Sequence, residues 1–383
     1  MFRFKAAILF ILCLIPLSVA IAVFEPLPAL PPIPSDNPLT EEKIELGKQL
    51  FFDPRLSKNG NISCNSCHNV TASGSDGQQT PVGSTGKQHR RNSATVWNVG
   101  FHTSLHWDGE ALSLEHQFAM HLIDPAVLDN TEQVIEKRIG AIPGYQRQFK
   151  RVFGQDGITV NTIAKALATY QRTLVTANSP FDLYLKGDTS AISAQAKRGF
   201  DTFKQVECSA CHFYVNFAGP QPGIALKMGE GFWELFPNTS GTVYEEKYDL
   251  ITDDLGRYNY TGEASHKNMW RVPSLRNIAI TGPYFHNGKV ETLAEAVRVM
   301  AATELDRKLN EQQVADIVEF LNSLTGRFPL QTLPRLPDDH GVEDAINHRK
   351  QSEQAGGVSM GVFSVDSKGA MTPAVVQPHL QGK

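Results

Sequence analysis

Cysteine is scarce in this chain, five residues in 383, and four of the five fall in two short clusters, which leaves little for a dispersed disulfide framework. An excess of positive charge is also missing. The formal net charge is −4 and becomes more negative once Arg3 and Lys5 of the N-terminal segment are set aside, so the basic face that a nucleic-acid partner needs is excluded. Strand signals are few, and the periodic segments read almost entirely as helix. Large apolar residues thin out beyond Pro334, where Gly, Ser, Gln and Pro take over; residues 331–383 are expected to form a disordered tail.

What the two clusters hold is specific. Cys64-Asn-Ser-Cys67-His68 and Cys208-Ser-Ala-Cys211-His212 each place two thiols at the spacing that forms thioethers to the vinyl groups of one haem, with the next imidazole reaching the iron. This is the attachment signal of c-type haem, present twice. A thioredoxin-like pair, half a zinc site or a disulfide would not ask for histidine immediately after the second cysteine, and none explains the repeat. Cys13 lies in an apolar run from Ala6 to Phe24 preceded by Arg3 and Lys5, with Ser18-Val-Ala20 or Ala20-Ile-Ala22 open to cleavage. Residues 1–22 therefore read as a signal peptide, or alternatively a membrane anchor, delivering the chain to the periplasm.

Residues 23–39 are proline-rich and read as an extended tether. From Thr40 the pattern is helical. Ile163, Leu167, Tyr170 and Leu174 form one buried stripe. Thr292 to Glu295 predicts a capping box ahead of a helix carrying Leu293, Val297 and Met300, and Asn310 to Gln313 predicts another ahead of Val314, Ile317, Val318 and Leu321. The long loops 69–92 and 213–269 are tolerable where haem fills part of each core. The fold class expected is mainly α, with two cytochrome c-like domains, 40–178 and 179–330, each enclosing one covalently attached haem.

With both motifs placed, Leu50 to Leu56, Phe101 to Gly109, Asn178 to Asp182, Arg271 to Asn277 and Gly282 to Gly288 resemble the bacterial di-haem cytochrome c peroxidase family, which includes MauG-like proteins. The resemblance covers about residues 40–326. It implies a periplasmic enzyme that reduces hydrogen peroxide to water with electrons from a small cytochrome c or cupredoxin, and a possible homodimer.

The resemblance also assigns roles. His212 would be the proximal ligand of an electron-transfer haem, and Met300 its distal ligand, where MauG-like proteins carry Tyr; a thioether favours the reduced iron. On residues alone, Met300 could equally fill the apolar face of its helix. His68 would be the proximal ligand of the peroxidatic haem, with Gln117 on the distal side. Family members add a Glu there that moves a proton between the peroxide oxygens, but this chain has Val127 at that position. Asp124, Asp129, His116 and His121 are the neighbours that could replace it. The switchable histidine of the family has His89 as its counterpart. Trp107 matches the tryptophan between the haems, and Asn92, Thr281 and Pro283 match an interdomain calcium site, whose oxygen donors suit that ion. His286 is a plausible interface residue without an assigned role. Three functions follow: the peroxidase, a MauG-like oxidase of a protein or organic substrate, against which Met300 argues, and a di-haem electron carrier or redox sensor without turnover, for which Val127 argues.

Overall fold

The structure is a computed structural model that describes residues 24–219, 232–338, 363–365 and 371–373. The expected signal peptide and most of the expected disordered tail lie outside the described residues. The chain is mainly helical. Within residues 24–338 one antiparallel strand pair is described, β1 (Trp233–Leu235) against β2 (Met269–Arg271), and a second short pair joins 363–365 to 371–373.

Six helices position what matters: α1 (Glu41–Phe52), α2 (Leu114–Ile123), α3 (Val160–Gln171), α4 (Ala194–Gln205), α5 (Leu293–Leu305) and α6 (Glu311–Asn322). Helix α1 starts at Thr40, whose side chain accepts from the Lys43 backbone, and carries Glu41 and Glu42 in the turn where the helix dipole favours acid. It buries Leu46, Leu50 and Phe51 against the predicted stripe Ile163, Leu167, Tyr170 and Leu174. The two helices cross at Gly47, where a Cβ would stand 1.9 Å from the Ala166 carbonyl oxygen. Only glycine permits that approach. The same crossing recurs between α4 and α6, where a Cβ on Gly199 would stand 1.8 Å from the Asp316 carbonyl oxygen. Phe181, Phe203, Phe217 and Phe320 fill the core around it.

The Asn310–Gln313 capping box forms as expected. At α5 the expectation is half met: Thr292 caps Glu295 N, but the Glu295 carboxylate is drawn off by Lys247 Nζ and Tyr248 OH, both at 2.7 Å. An ion pair outcompetes the return bond to the cap.

The proline-rich segment forms neither helix nor strand from Phe24 to Pro38 and turns at Pro34–Asn37, and its side chains are anchored. Phe24 packs on Phe200 and Phe217 of the second core. Leu27 is buried and its N–H donates to Asp182 Oδ1 at 3.0 Å. Asn37, fully buried, accepts from Lys43 Nζ and donates to Glu115. The segment therefore straps the two halves together. The start of the tail is likewise tied down: Lys48 donates to Thr332, Tyr170 to Gln331 and Arg55 to the Pro337 carbonyl. The expected domain boundary is a buried junction, with Asp182 and Arg276 paired at 2.7 Å and both side chains fully buried.

Candidate functional site

Both Cys-x-x-Cys-His segments open on one cavity of about 370 Å³. Cys64, Cys67 and His68 line one part of it, Cys208, Cys211 and His212 another. The four described cysteines form no disulfide. Burial pushes the Cys64 and Cys208 thiols up to about 12 and Cys67 up to about 11, so they are held as neutral thiols. Burial also holds the His68 and His212 imidazoles neutral, down to about 4, as iron ligation requires. The His212 Nδ1 bonds the Phe217 carbonyl at 2.9 Å, which fixes the tautomer and leaves Nε2 with the lone pair. His68 Nδ1 has no hydrogen bond of good geometry, although the Gly74 and Ala94 backbone lies nearby.

The expected partners divide between the two parts. Met300 lines the cavity from α5, flanked by Leu293 and Val297. Gln117 lines it from α2, with its Oε1 buried and unpartnered, and His121 sits one turn further along the same face. Val127 lines the cavity too, so the residue in the expected carboxylate position does face the site. Of the possible replacements, His116 is exposed, its Nδ1 accepting from Leu112 N, and Asp129 is paired with Lys58 at 2.7 Å; neither lines the cavity. Asp124 does, with Oδ1 held by Ala126 N. His89 lines it from a loop, its Nδ1 occupied by the Arg91 backbone.

A stacked group also lines the cavity. Trp107 donates from Nε1 to the Asn92 carbonyl at 2.9 Å and meets His286 edge-on, while His286 stacks on Trp270 at 3.9 Å. Arg91 lies over Trp270 and is held by Asp254 and Asp108. His286 thus contacts Trp107 and Trp270, and Trp270 and Arg91 are neighbours that the sequence reading missed. Asn92, Thr281 and Pro283 line the same cavity. The Asn92 amide donates to the Gln78 and Gln79 carbonyls, and its Oδ1 accepts no hydrogen bond among the described residues.

Three further groups went unread. Arg271 is buried in the cavity wall with no ion-pair partner among the described residues, touching His102 Nδ1 at 3.0 Å; a buried cation of this kind fits an anionic group such as a haem carboxylate. His106 and Glu110 form a bond of 2.8 Å, and the His106 Nε2 is buried and unpartnered. Asp108 is near enough to suggest a metal cluster with them, but Arg91 already neutralises it. His106, Asp108 and Arg271 lie in segments already singled out by their resemblance, but their roles show only in their packing.

A family model for di-haem cytochrome c peroxidase matches residues 41–190. The chain is 38% identical over 306 residues to the cytochrome c551 peroxidase of Nitrosomonas europaea, covering 80% of this chain and 86% of that protein. It is equally 38% identical, over 321 residues, to the cytochrome c551 peroxidase of Pseudomonas aeruginosa, covering 83% and 88%. The chain belongs to the di-haem cytochrome c peroxidase family. Among solved structures it is similar to a MauG-like protein associated with microbial copper homeostasis, with a TM-score of 0.67 and 30% identity over 81% of this chain and 95% of that one. Membership supports a peroxidase-type oxidoreductase and implies two haems. Among the described residues no helix is long and apolar enough to cross a membrane.

Proposed function

We propose that this chain is a periplasmic di-haem peroxidase that reduces hydrogen peroxide to water with electrons from a small cytochrome c or cupredoxin. The observation that carries the reading is the inequality of the two cavity parts: a thioether, Met300, accompanies His212, whereas the amide Gln117 and no thioether accompany His68. When bound, the two haems supply redox-active iron, one for electron transfer and one for peroxide cleavage. Cys64 with Cys67 and Cys208 with Cys211 would hold them by thioethers in two cytochrome c-like domains. His212 and Met300 would be ligands of one iron and His68 a ligand of the other, where peroxide must also gain access. Gln117, with its free Oε1, orients peroxide. Trp107, with His286 and Trp270, lines the cavity with polarisable rings. Asn92 Oδ1 and the Thr281 and Pro283 carbonyls form an oxygen-donor set for calcium.

Val127 favours a second reading, a di-haem electron carrier without turnover, because it cannot move a proton. Steady-state peroxide reduction by the loaded protein with reduced cytochrome c decides between them. Turnover supports the peroxidase; electron exchange with the donor in the absence of peroxide turnover leaves only the carrier.

A further inference from the structure

Residues 98–122 and 277–301 are one backbone motif used twice, in register and without insertion. Asn98 and Asn277 are both left-handed, φ 63° and 61°, and each opens a single 3-10 turn, Val99–Phe101 and Ile278–Ile280. Leu105 N bonds Ala111 O as Tyr284 N bonds Val290 O. His106 and Phe285 share a positive φ, 66° and 69°, as do Gly109 and Gly288, 70° and 62°. Ser113 then caps α2 as Thr292 caps α5. In this register, His121 stands where Met300 stands.

Resting on the di-haem reading above, we infer that His121 is the side chain that caps the iron held by His68, on the face opposite that histidine, in the resting protein. Three observations converge on it. Its position repeats that of the thioether in the second half, at the same step from the N-cap. It lines the cavity, and neither of its ring nitrogens has a hydrogen-bond partner among the described residues. Its plane is held by stacking on His106 at 4.7 Å and 11°, and His106 is itself fixed by Glu110. In the repeat, the matching Phe285 stacks on Phe236 at 5.1 Å and 15°, and both Phe285 and Met300 pack against the same apolar cluster. A neutral imidazole with a free lone pair is a strong axial ligand. His89 lies on a loop outside the repeated motif, with no ring stacked on it among the described residues.

The test is electron paramagnetic resonance and absorption spectroscopy of the oxidised protein carrying both haems. The wild type is expected to show two low-spin irons. His121→Ala should convert one of them to high spin, His89→Ala should convert neither, and added imidazole should restore the low-spin signal in His121→Gly. If the alanine variant does not accumulate, His121→Met should add a second thioether-to-iron charge-transfer band. A wild type already high-spin at one haem, a His121→Ala protein that stays fully low-spin, or a conversion by His89→Ala would overturn the inference. Peroxide turnover is read separately: a protein that behaves as expected here but reduces no peroxide overturns the peroxidase reading alone.

Discussion

The two halves of this chain present different chemistry on the same frame. Each has a glycine-crossed helix pair, a Cys-x-x-Cys-His turn and a capped helix directed at the cavity. At matched positions the cavity side chains of the first frame are His106, Gln117 and His121, and those of the second are Phe285, Ala296 and Met300, with Glu304 one turn beyond Met300. The backbone fixes where a group stands and the side chain fixes what it does there. A polar, partly unsatisfied set suits a place where protons and a polar substrate come and go, whereas an apolar set around one thioether suits an iron that only exchanges electrons. The comparison also explains why only one half contains an anomaly. Val127 is a defect only where proton movement is needed.

The largest expected effect lies there. Val127→Glu should raise peroxide turnover by about 10²- to 10⁴-fold, the usual yield of a positioned acid–base group, and stopped-flow peroxide reduction measures it. No gain would mean that another cavity group already moves the proton, and Glu110→Gln would then lower the rate of the natural protein.

The second test asks whether the halves are equivalent in their packing. Gly47→Ala and Gly199→Ala each force a Cβ into a backbone carbonyl, at 1.9 and 1.8 Å, and each should cost about 3 kcal/mol in urea unfolding. Equal losses support the duplication; a loss at one site only would break it.

These glycines also show what the sequence made legible. The haem motifs, the helical stripe from Ile163 to Leu174 and the Asn310 cap were readable because each is a local pattern of fixed spacing. The duplicated motif was not, because its register depends on left-handed residues that are not glycine, namely Asn98, His106, Asn277 and Phe285, and backbone sign is not written in residue type. His106 acquires meaning from its stack on His121 and Arg271 from its burial and its contact with His102, neither of which a local pattern shows. In the strap from Phe24 to Pro38, the anchors Phe24, Leu27 and Asn37 follow no period that would reveal which side is buried.

A third test uses matched positions that differ in kind. Trp107 and His286 occupy the same place in the two motifs, and only His286 titrates. Burial lowers it from 6.5 to about 4, with Arg91 adding to the shift and Asp254 opposing it. The unfolded chain therefore takes up the proton first, and stability present above pH 6.5 is lost as the pH falls towards 4, by up to about 3 kcal/mol. Urea unfolding between pH 7 and 4.5 should show this slope in the wild type and a shallower one in His286→Gln. An unchanged slope would place the acid sensitivity elsewhere.

The smallest effect separates the two capped helices. Removing a side-chain N-cap costs about 1 kcal/mol, and Ser113→Ala and Thr292→Ala each remove one, from His116 N at 3.1 Å and from Glu295 N at 3.3 Å. Their consequences should differ, because the second anchor of each first turn differs in burial: Glu115 of α2 is held by the buried Arg172 at 2.6 and 2.9 Å and by Asn37 at 2.7 Å, whereas Glu295 of α5 is held by Tyr248 and by Lys247, whose side chain is 55% exposed. An exposed pair stabilises little, so losing the cap should let the start of α5 fray more than that of α2. Hydrogen exchange should therefore rise in α5 of Thr292→Ala, with little change in α2 of Ser113→Ala. Equal fraying would mean that the Arg172–Glu115 pair anchors its helix no better than the exposed contacts anchor the helix that carries Met300.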